Sequence, residues 1–378
     1  MKQSNKFIPV NTPILSGNEK KYLNECIDTG WISSEGPFVK KFEDAFAEYV
    51  GCNHGIAVAN GSAALDVALK ALKLSSNDEV IMPTFTIISP AFSVIKTGAT
   101  PVLIDCDPLT WNMDVNSIEK KITNKTKAIL VVHIYGLPVE MDPILKLCKK
   151  YKLLLIEDAA EVHGQTYKGK KCGSFGDISI FSFYPNKHIT TGEGGMILVN
   201  DKSIADRCRN LKNLSFEPDK PRFIHYDFGW NYRMTNMQAA LGLAQLENIN
   251  KHIIKKREIG NEYVRLLQNI DSIFVNIPKT DFAENIYWVN SVVLKNKKLK
   301  ATEVMKKLSS RGIGTRPFFF PMHLQPVFVK MGLFDGESYP VSENIASQGF
   351  YLPSGLGLDI NDISYITDNL KEVLNEYE

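Results

Sequence analysis

Leu153-Leu154-Leu155-Ile156-Glu157-Asp158-Ala159-Ala160 is an apolar run that ends abruptly in two acids. A stretch that is apolar at nearly every position suits a strand buried on both faces, as in parallel sheets covered by helices on each side. Runs of the same kind lie around it: Glu79 to Phe85, Pro101 to Asp105, Ala128 to Tyr135, Ile178 to Phe183 and Gly195 to Val199. They alternate with helical patterns such as Met141 to Lys150, which predicts an α/β domain with a mostly parallel sheet.

Beyond this region a helical stretch from about Thr235 to Leu267 leads to a turn-rich break near Pro278. A strand-like run (Tyr287 to Leu294), a helix (Ala301 to Arg311) and a Pro-rich segment (Arg316 to Pro326) follow, which predicts a small α+β domain. The chain is therefore divided into residues 1–240, a large domain with an N-terminal segment, and residues 241–378, a linking helix with the small C-terminal domain. No internal repeat is visible.

Composition narrows the function classes. The chain has 378 residues, 44% of them apolar, enough for a large core. Its 44 Lys and Arg nearly balance 42 Asp and Glu, so nothing in the charge calls for nucleic acid or an acidic membrane. The six cysteines are scattered, with only His54 near one of them, and predict reduced thiols and no metal site. Neither a signal-like stretch at Met1 to Asn11 nor a run of about 18 apolar residues occurs. A soluble, cytoplasmic protein with a small-molecule substrate is the expectation.

Three features carry chemistry. Asn60-Gly61-Ser62-Ala63-Ala64-Leu65 precedes a helical pattern running to Leu72, with Ser62 as the expected cap. Free N–H groups and the positive dipole end at such a helix start can seat a phosphate, although an ordinary capped helix has the same appearance. Asp158 ends its strand where α/β sheets place ligands and can hold a protonated ring nitrogen, with Ala160 on the same side leaving room for a flat ring. A carboxylate capping a helix explains it as well. In Phe181-Ser182-Phe183-Tyr184-Pro185-Asn186-Lys187-His188-Ile189-Thr190-Thr191-Gly192-Glu193-Gly194-Gly195-Met196, one lysine lies between a strand and a Gly-rich turn. A buried lysine loses its proton readily and becomes the neutral amine that a Schiff base requires, whereas most lysines are simply solvated.

Taken in chain order these features resemble the sugar aminotransferases of the DegT/DnrJ/StrS family. The resemblance extends from Pro9-Val10 and Gly30-Trp31-Ile32-Ser33-Ser34, through Gly229-Trp230-Asn231-Tyr232-Arg233-Met234, to Arg316-Pro317 and His323. It implies a type-I fold of the pyridoxal-phosphate-dependent transferases, working as a homodimer with shared active sites. Lys187 would form the Schiff base and move the proton, and Asp158 would bind the ring nitrogen. Gly61, Ser62, Ala63 and Ser182 would surround the phosphate, and Asn231 would reach it from the other subunit. Ala160 would lie against the ring, and Glu161 would stand near the ring hydroxyl, where many relatives have glutamine or histidine. Trp31, His163, His188, Arg316 and His323 are the implied substrate contacts.

One departure is visible: in Pro83-Thr84-Phe85-Thr86-Ile87 the position where relatives place an aromatic ring against the cofactor is Ile87, which covers but cannot stack. By resemblance the donor is L-glutamate and the acceptor a keto sugar nucleotide, a GDP-linked 4-keto-6-deoxyhexose, in O-antigen or capsule biosynthesis. A dTDP- or UDP-4-keto sugar or a small phosphorylated ketone is the alternative. Sugar dehydratases on the same fold carry histidine in place of the lysine, which disfavours that reading here; a regulatory homologue without catalysis is the third class.

Overall fold

In the computed structural model, which describes residues 7–377, period-two alternation along the central strands feeds two separate cores. In β4 (Thr126–Val132), Ala128, Leu130 and Val132 join one core while Ile129 and Val131 join the other. The strands β1 (His54–Val58), β2 (Glu79–Pro83), β3 (Thr100–Ile104), β4, β5 (Leu154–Asp158), β8 (Ile178–Ser182) and β9 (Gly195–Val199) form a seven-stranded sheet. A two-strand hairpin, β6 (Thr166–Tyr167) with β7 (Lys170–Lys171), hangs off the chain between β5 and β8. Sheet order is β1-β9-β8-β5-β4-β2-β3, with β9 antiparallel to both neighbours and the pairs among β8, β5, β4, β2 and β3 parallel.

The large sheet agrees with the expected α/β class, and five of the expected strands differ from the observed ones only by one to three residues at their ends. β1 is an addition: its short sequence, His-Gly-Ile-Ala-Val, is interrupted by Gly55, where a Cβ would lie 2.4 Å from the Glu43 carbonyl oxygen.

The helices that cover the sheet are α1 (Glu19–Thr29), α2 (Pro37–Val50), α3 (Gly61–Ala71), α4 (Ser89–Lys96), α5 (Met141–Tyr151) and α6 (Lys202–Leu211). The stretch expected as one linking helix is two, α7 (Asn236–Leu246) and α8 (Ile249–Leu267). Asn248 interrupts it, turning its side chain back onto the Ala244 carbonyl in competition with the backbone ladder. A capping box between Thr235 and Gln238 starts α7.

A second, four-stranded antiparallel sheet has the order β10-β11-β13-β12, from β10 (Ile273–Val275), β11 (Asn290–Leu294), β12 (Arg316–Pro317) and β13 (Gly349–Leu352). With it go α9 (Ala301–Ser310), α10 (Pro326–Lys330), α11 (Pro340–Gln348) and α12 (Ile360–Asn375). The N-terminal segment, grouped by sequence with the large domain, bonds to this C-terminal part: Ile8 N–H donates to Gly312 O, Gly314 N–H to Ile8 O and Ser354 N–H to Val10 O, each at 2.8 Å. Asn11 Nδ2 then donates to Pro185 O at 2.7 Å. No helix among the described residues is long and apolar enough to cross a membrane.

Candidate active site

The alternation that separates the two cores also separates the two acids at the end of β5. Glu157 points to the core of Phe181 and Leu155, where it accepts N–H groups from Gly173, Phe175 and Gly176 and a bond from His133 Nε2 at 2.9 Å. It is a structural carboxylate. His133, Glu157 and Cys172 lie close enough to hold a metal ion, but His133 Nδ1 accepts Val139 N–H and Glu157 is fully engaged, so the donors are already spent.

Asp158 faces the other way, into a cavity of about 470 Å³ at the C-terminal ends of β4, β5 and β8. Val132, Asp158, Ile180 and Ser182 line it from the sheet, and Asn60, Gly61, Ser62 and Leu65 from α3 and the residue before it. This is the place in an open α/β sheet where ligands bind.

The start of α3 is built for close approach. Asn60, not Ser62, is its cap: the Asn60 side chain accepts Ala63 N–H at 2.8 Å. Ser62 lies inside the first turn, exposed, with its hydroxyl 2.8 Å from that of Ser89. The N–H groups of Gly61 and Ser62 have no acceptor within the helix, because the first turn never does. A Cβ on Gly61 would sit 2.8 Å from Ser182 Cβ, and one on Gly195 would sit 2.4 Å from Asn60 O. Glycine at both positions lets the turn, the serine and β9 meet around one small polar pocket. Ala63 is buried behind the turn and does not line the cavity.

Lys187 projects into the same cavity with its side chain 10% exposed. Its Nζ lies 3.9 Å from Glu161 Oε1 and 3.9 Å from the centre of the Trp288 ring. Burial lowers the amine's proton affinity, while the Glu161 and Asp158 carboxyls oppose that shift. Burial likewise raises Asp158, to about 6, against the Ala160 N–H that it accepts at 3.1 Å and the nearby Lys187. β5 ends at Asp158, so Ala160 reaches the cavity from the following turn rather than from the strand. Glu161 is raised chiefly by burial; its Oε2 accepts Tyr135 N–H at 2.9 Å, from a residue whose φ of 55° is in the left-handed region. Non-glycine residues held there store strain of the kind found at working sites.

Ile87 lies at the cavity, 46% exposed. The aromatic surface comes from elsewhere: Trp288, Phe319 and Tyr351 from the C-terminal part and Tyr184 from the lysine segment. Sequence reading does not single these out, nor Asn186, Ser89 and Glu193. The one available signal was the density of aromatics after Ile286 and in Phe318-Phe319-Phe320.

The five implied substrate contacts lie outside the cavity lining. His163 is buried against Phe46, Phe181, Phe183 and His188, and burial drives it down to about 3, so its ring is neutral. His188 is buried with Nε2 on Ile286 O at 3.3 Å, and burial drives it well below its ordinary value. His323 bridges Thr84 Oγ1 and Glu343 Oε1, each at 3.0 Å. Arg316 is exposed and pairs in register with cavity-lining Tyr351. Trp31 is exposed, its carbonyl accepting Asn236 Nδ2. Asn231, also exposed, accepts both Arg233 Nε and a terminal guanidinium nitrogen on Oδ1, away from this chain's own cavity.

Comparison with known proteins bears on the chemistry. The model of the DegT/DnrJ/EryC1/StrS aminotransferase family matches residues 13–371. GDP-perosamine synthase of Escherichia coli O157:H7 is 43% identical over 371 residues, covering 98% of this chain and all of that protein. GDP-perosamine synthase of Caulobacter vibrioides is 43% identical over 369 residues, covering 97% and 98%. Among solved structures, S. venezuelae DesV in complex with a ketimine intermediate superposes with a TM-score of 0.86 at 31% identity, covering 94% of each chain.

Proposed function

The chain belongs to the DegT/DnrJ/EryC1/StrS aminotransferase family and is an aminotransferase, and from that premise we propose that it moves the amino group of L-glutamate to a GDP-linked 4-keto-6-deoxyhexose with pyridoxal phosphate as cofactor. The observation that carries the cofactor is the convergence of Lys187, Asp158 and the free first turn of α3 on one cavity. The acceptor rests on the GDP-perosamine synthases at 43% identity over nearly the whole chain.

The residues present fit such a group. Gly61 and Ser62 offer N–H donors and the helix dipole to a phosphate, with the Ser182 hydroxyl opposite. The cradle is one that a Cβ on Gly61 would fill. Asp158 would hold the cationic ring nitrogen, a charge that would draw its carboxyl down from the raised value that burial imposes. Ala160 and Ile87 line the cavity where a flat ring would lie, Glu161 beside Lys187 would stand near the ring hydroxyl, and Asn231 would reach the phosphate from a second subunit. Bound there, pyridoxal phosphate supplies the exchangeable carbonyl and the electron sink.

The chain's own work is then positional and protonic. Burial favours the neutral form of Lys187, so Nζ can take the donor's α-proton and, in the second half-reaction, deliver a proton to the acceptor carbon that receives the amino group. The same group serves the reverse half-reaction with the keto acceptor. Arg316 and Trp31, exposed, are the substrate contacts of this reading; His163, His188 and His323 support the walls from behind. The reading makes the enzyme a cytoplasmic homodimer.

The test is spectroscopic. Pure protein with pyridoxal phosphate is scanned, L-glutamate is added, and then GDP-4-keto-6-deoxymannose, dTDP- and UDP-4-keto-6-deoxyglucose and dihydroxyacetone phosphate are offered in turn. Bleaching by glutamate and recovery with the GDP sugar is the expected result. Recovery with another acceptor alone replaces the substrate, and no response to glutamate rejects the donor.

A further inference from the structure

We propose that Trp288, pinned from behind by the buried amine of Lys256, is the residue that positions the Lys187 amine in the cavity. This inference rests on the reading of Lys187 as the reactive amine, and it concerns two residues outside the motifs that carry that reading.

Trp288 is 3% exposed and presents its ring face to Lys187 Nζ at 3.9 Å from the centroid. At that distance the ring quadrupole attracts an ammonium, and it does so most strongly away from water. The indole cannot turn freely, since its Nε1–H donates to Asn186 O, one residue before Lys187, at 2.8 Å. Ring and lysine segment are thus held by a bond and a contact that share one short stretch of chain.

The backbone of Trp288 is fixed by a second lysine. Lys256 on α8 is 1% exposed, and its Nζ donates to Trp288 O at 2.8 Å and to Ser354 O at 2.5 Å. Both acceptors are carbonyls, not carboxylates. Ser354 in turn accepts Asn290 N–H on its hydroxyl at 2.8 Å, so one ammonium joins α8, the approach to β11 and the exit from β13. Burying an ammonium is costly and an apolar side chain of similar volume would fill the space more cheaply. What an apolar side chain would lack is the pair of N–H donors that tie the Trp288 carbonyl to that of Ser354.

The groups facing Lys187 are the carboxyls of Asp158, Glu161 and Glu193, the imidazoles of His163 and His188, the hydroxyls of Tyr184 and Tyr351, and the Lys256 amine, which burial pushes down to about 7. Carboxylates and the indole favour the charged amine; burial and Lys256 disfavour it. The two ways in which Lys256 can act therefore have opposite signs. Where it still carries its proton, at and below about pH 7, Lys256 acts as a positive charge whose removal would raise the pH at which Lys187 loses its proton. As a pin for Trp288, its removal lowers that pH by releasing the ring.

The experiment uses the full-length chain freed of any bound aldehyde with hydroxylamine. Lys187 is methylated by formaldehyde and cyanoborohydride across pH 6 to 11, and its peptide is quantified by mass spectrometry. Trp288→Leu is expected to lower the midpoint by about 0.4 to 1.5 pH units, the range of a desolvated cation–π contact, and Trp288→Phe by less. Lys256→Met is expected to lower it as well, and Lys256→Met combined with Trp288→Leu to match Trp288→Leu alone. An unchanged midpoint in Trp288→Leu overturns the proposal. A raised or unchanged midpoint in Lys256→Met, or a further fall in the double variant, removes Lys256 from it. Should Lys256→Met fail to fold, the two Trp288 variants decide the matter. If wild-type Lys187 is not methylated at any pH, it is the reading of Lys187 as the reactive amine that fails.

Discussion

Lys187 and Glu161 face each other across 3.9 Å in the cavity, and burial pushes them in opposite directions, the amine toward losing its proton and the carboxyl toward keeping one. Burial thus favours the neutral form of each, and the neutral form is the state a nucleophilic amine requires. The separation is too long for a hydrogen bond, so Glu161 shapes the charge around the lysine without binding it.

Lys187→Ala is expected to abolish turnover. Losing general acid–base transfer alone costs ~10²–10⁴-fold, and losing the imine-forming amine adds to it. Release of 2-oxoglutarate from L-glutamate measures this; more than about a hundredth of wild-type rate would remove Lys187 from the mechanism.

Asp158 links catalysis to stability with a definite sign. Its carboxyl is raised from 3.8 to about 6 in the folded chain, so the folded state binds the extra proton and stability falls as pH rises through that window. Asp158→Asn should make the cofactor-free protein more stable at pH 8, by roughly 1–3 kcal/mol, with the gap closing as pH falls from 6 toward 4. Thermal melts over that range check it. The same variant should lose about 10²-fold or more in rate, as a missing preorganised charge does.

Gly61→Ala places a methyl 2.8 Å from Ser182 Cβ, and both are anchored to backbone. The turn or the strand end must move, at a cost of about 1–3 kcal/mol. Titration with pyridoxal phosphate should show affinity weakened by about tenfold or more, since roughly 1.4 kcal/mol is one decade. Unchanged affinity would mean that the phosphate sits elsewhere.

His323→Ala should act on stability rather than on chemistry. It strands the hydroxyl of Thr84, three residues before Ile87, and one bond to Glu343, a loss of about 1–3 kcal/mol. A lower denaturation midpoint with kcat retained is the expected pair of results. A fall in kcat without loss of stability would return His323 to substrate contact.

Ile87→Phe tests the missing aromatic. The position is nearly half exposed at the cavity, so a ring fits without displacing core. Stacking adds about 0.5–1.5 kcal/mol, and the half-time of cofactor loss on dialysis should lengthen several-fold.

Much of this site is legible in the chain because its parts are local. Asp158 closes and Lys187 follows an apolar strand whose character needs no tertiary information, and Gly61 opens a helical pattern that is equally local. Which of the two acids at the end of β5 faces the cavity required the register, since the strand alternation sends Glu157 to the opposite core. Trp288, Phe319 and Tyr351 stayed hidden because their segments meet the cavity only after the second sheet folds back over the first. The three histidines read as substrate contacts are polar residues in polar-looking motifs, yet His163 packs against Phe46 and Phe181, His188 against His163, and His323 against Tyr339, all outside the cavity lining. Pattern reading cannot distinguish an imidazole that faces solvent from one that faces phenylalanine.

The segment from Ile8 to Asn11 has a mechanical consequence. It is bonded at Gly312, Gly314 and Ser354 on one side and at Pro185 on the other, two residues from Lys187. A short segment bonded at both ends works as a tie: it joins the second sheet to the turn that carries the lysine, and losing the Asn11 side chain would untie the two.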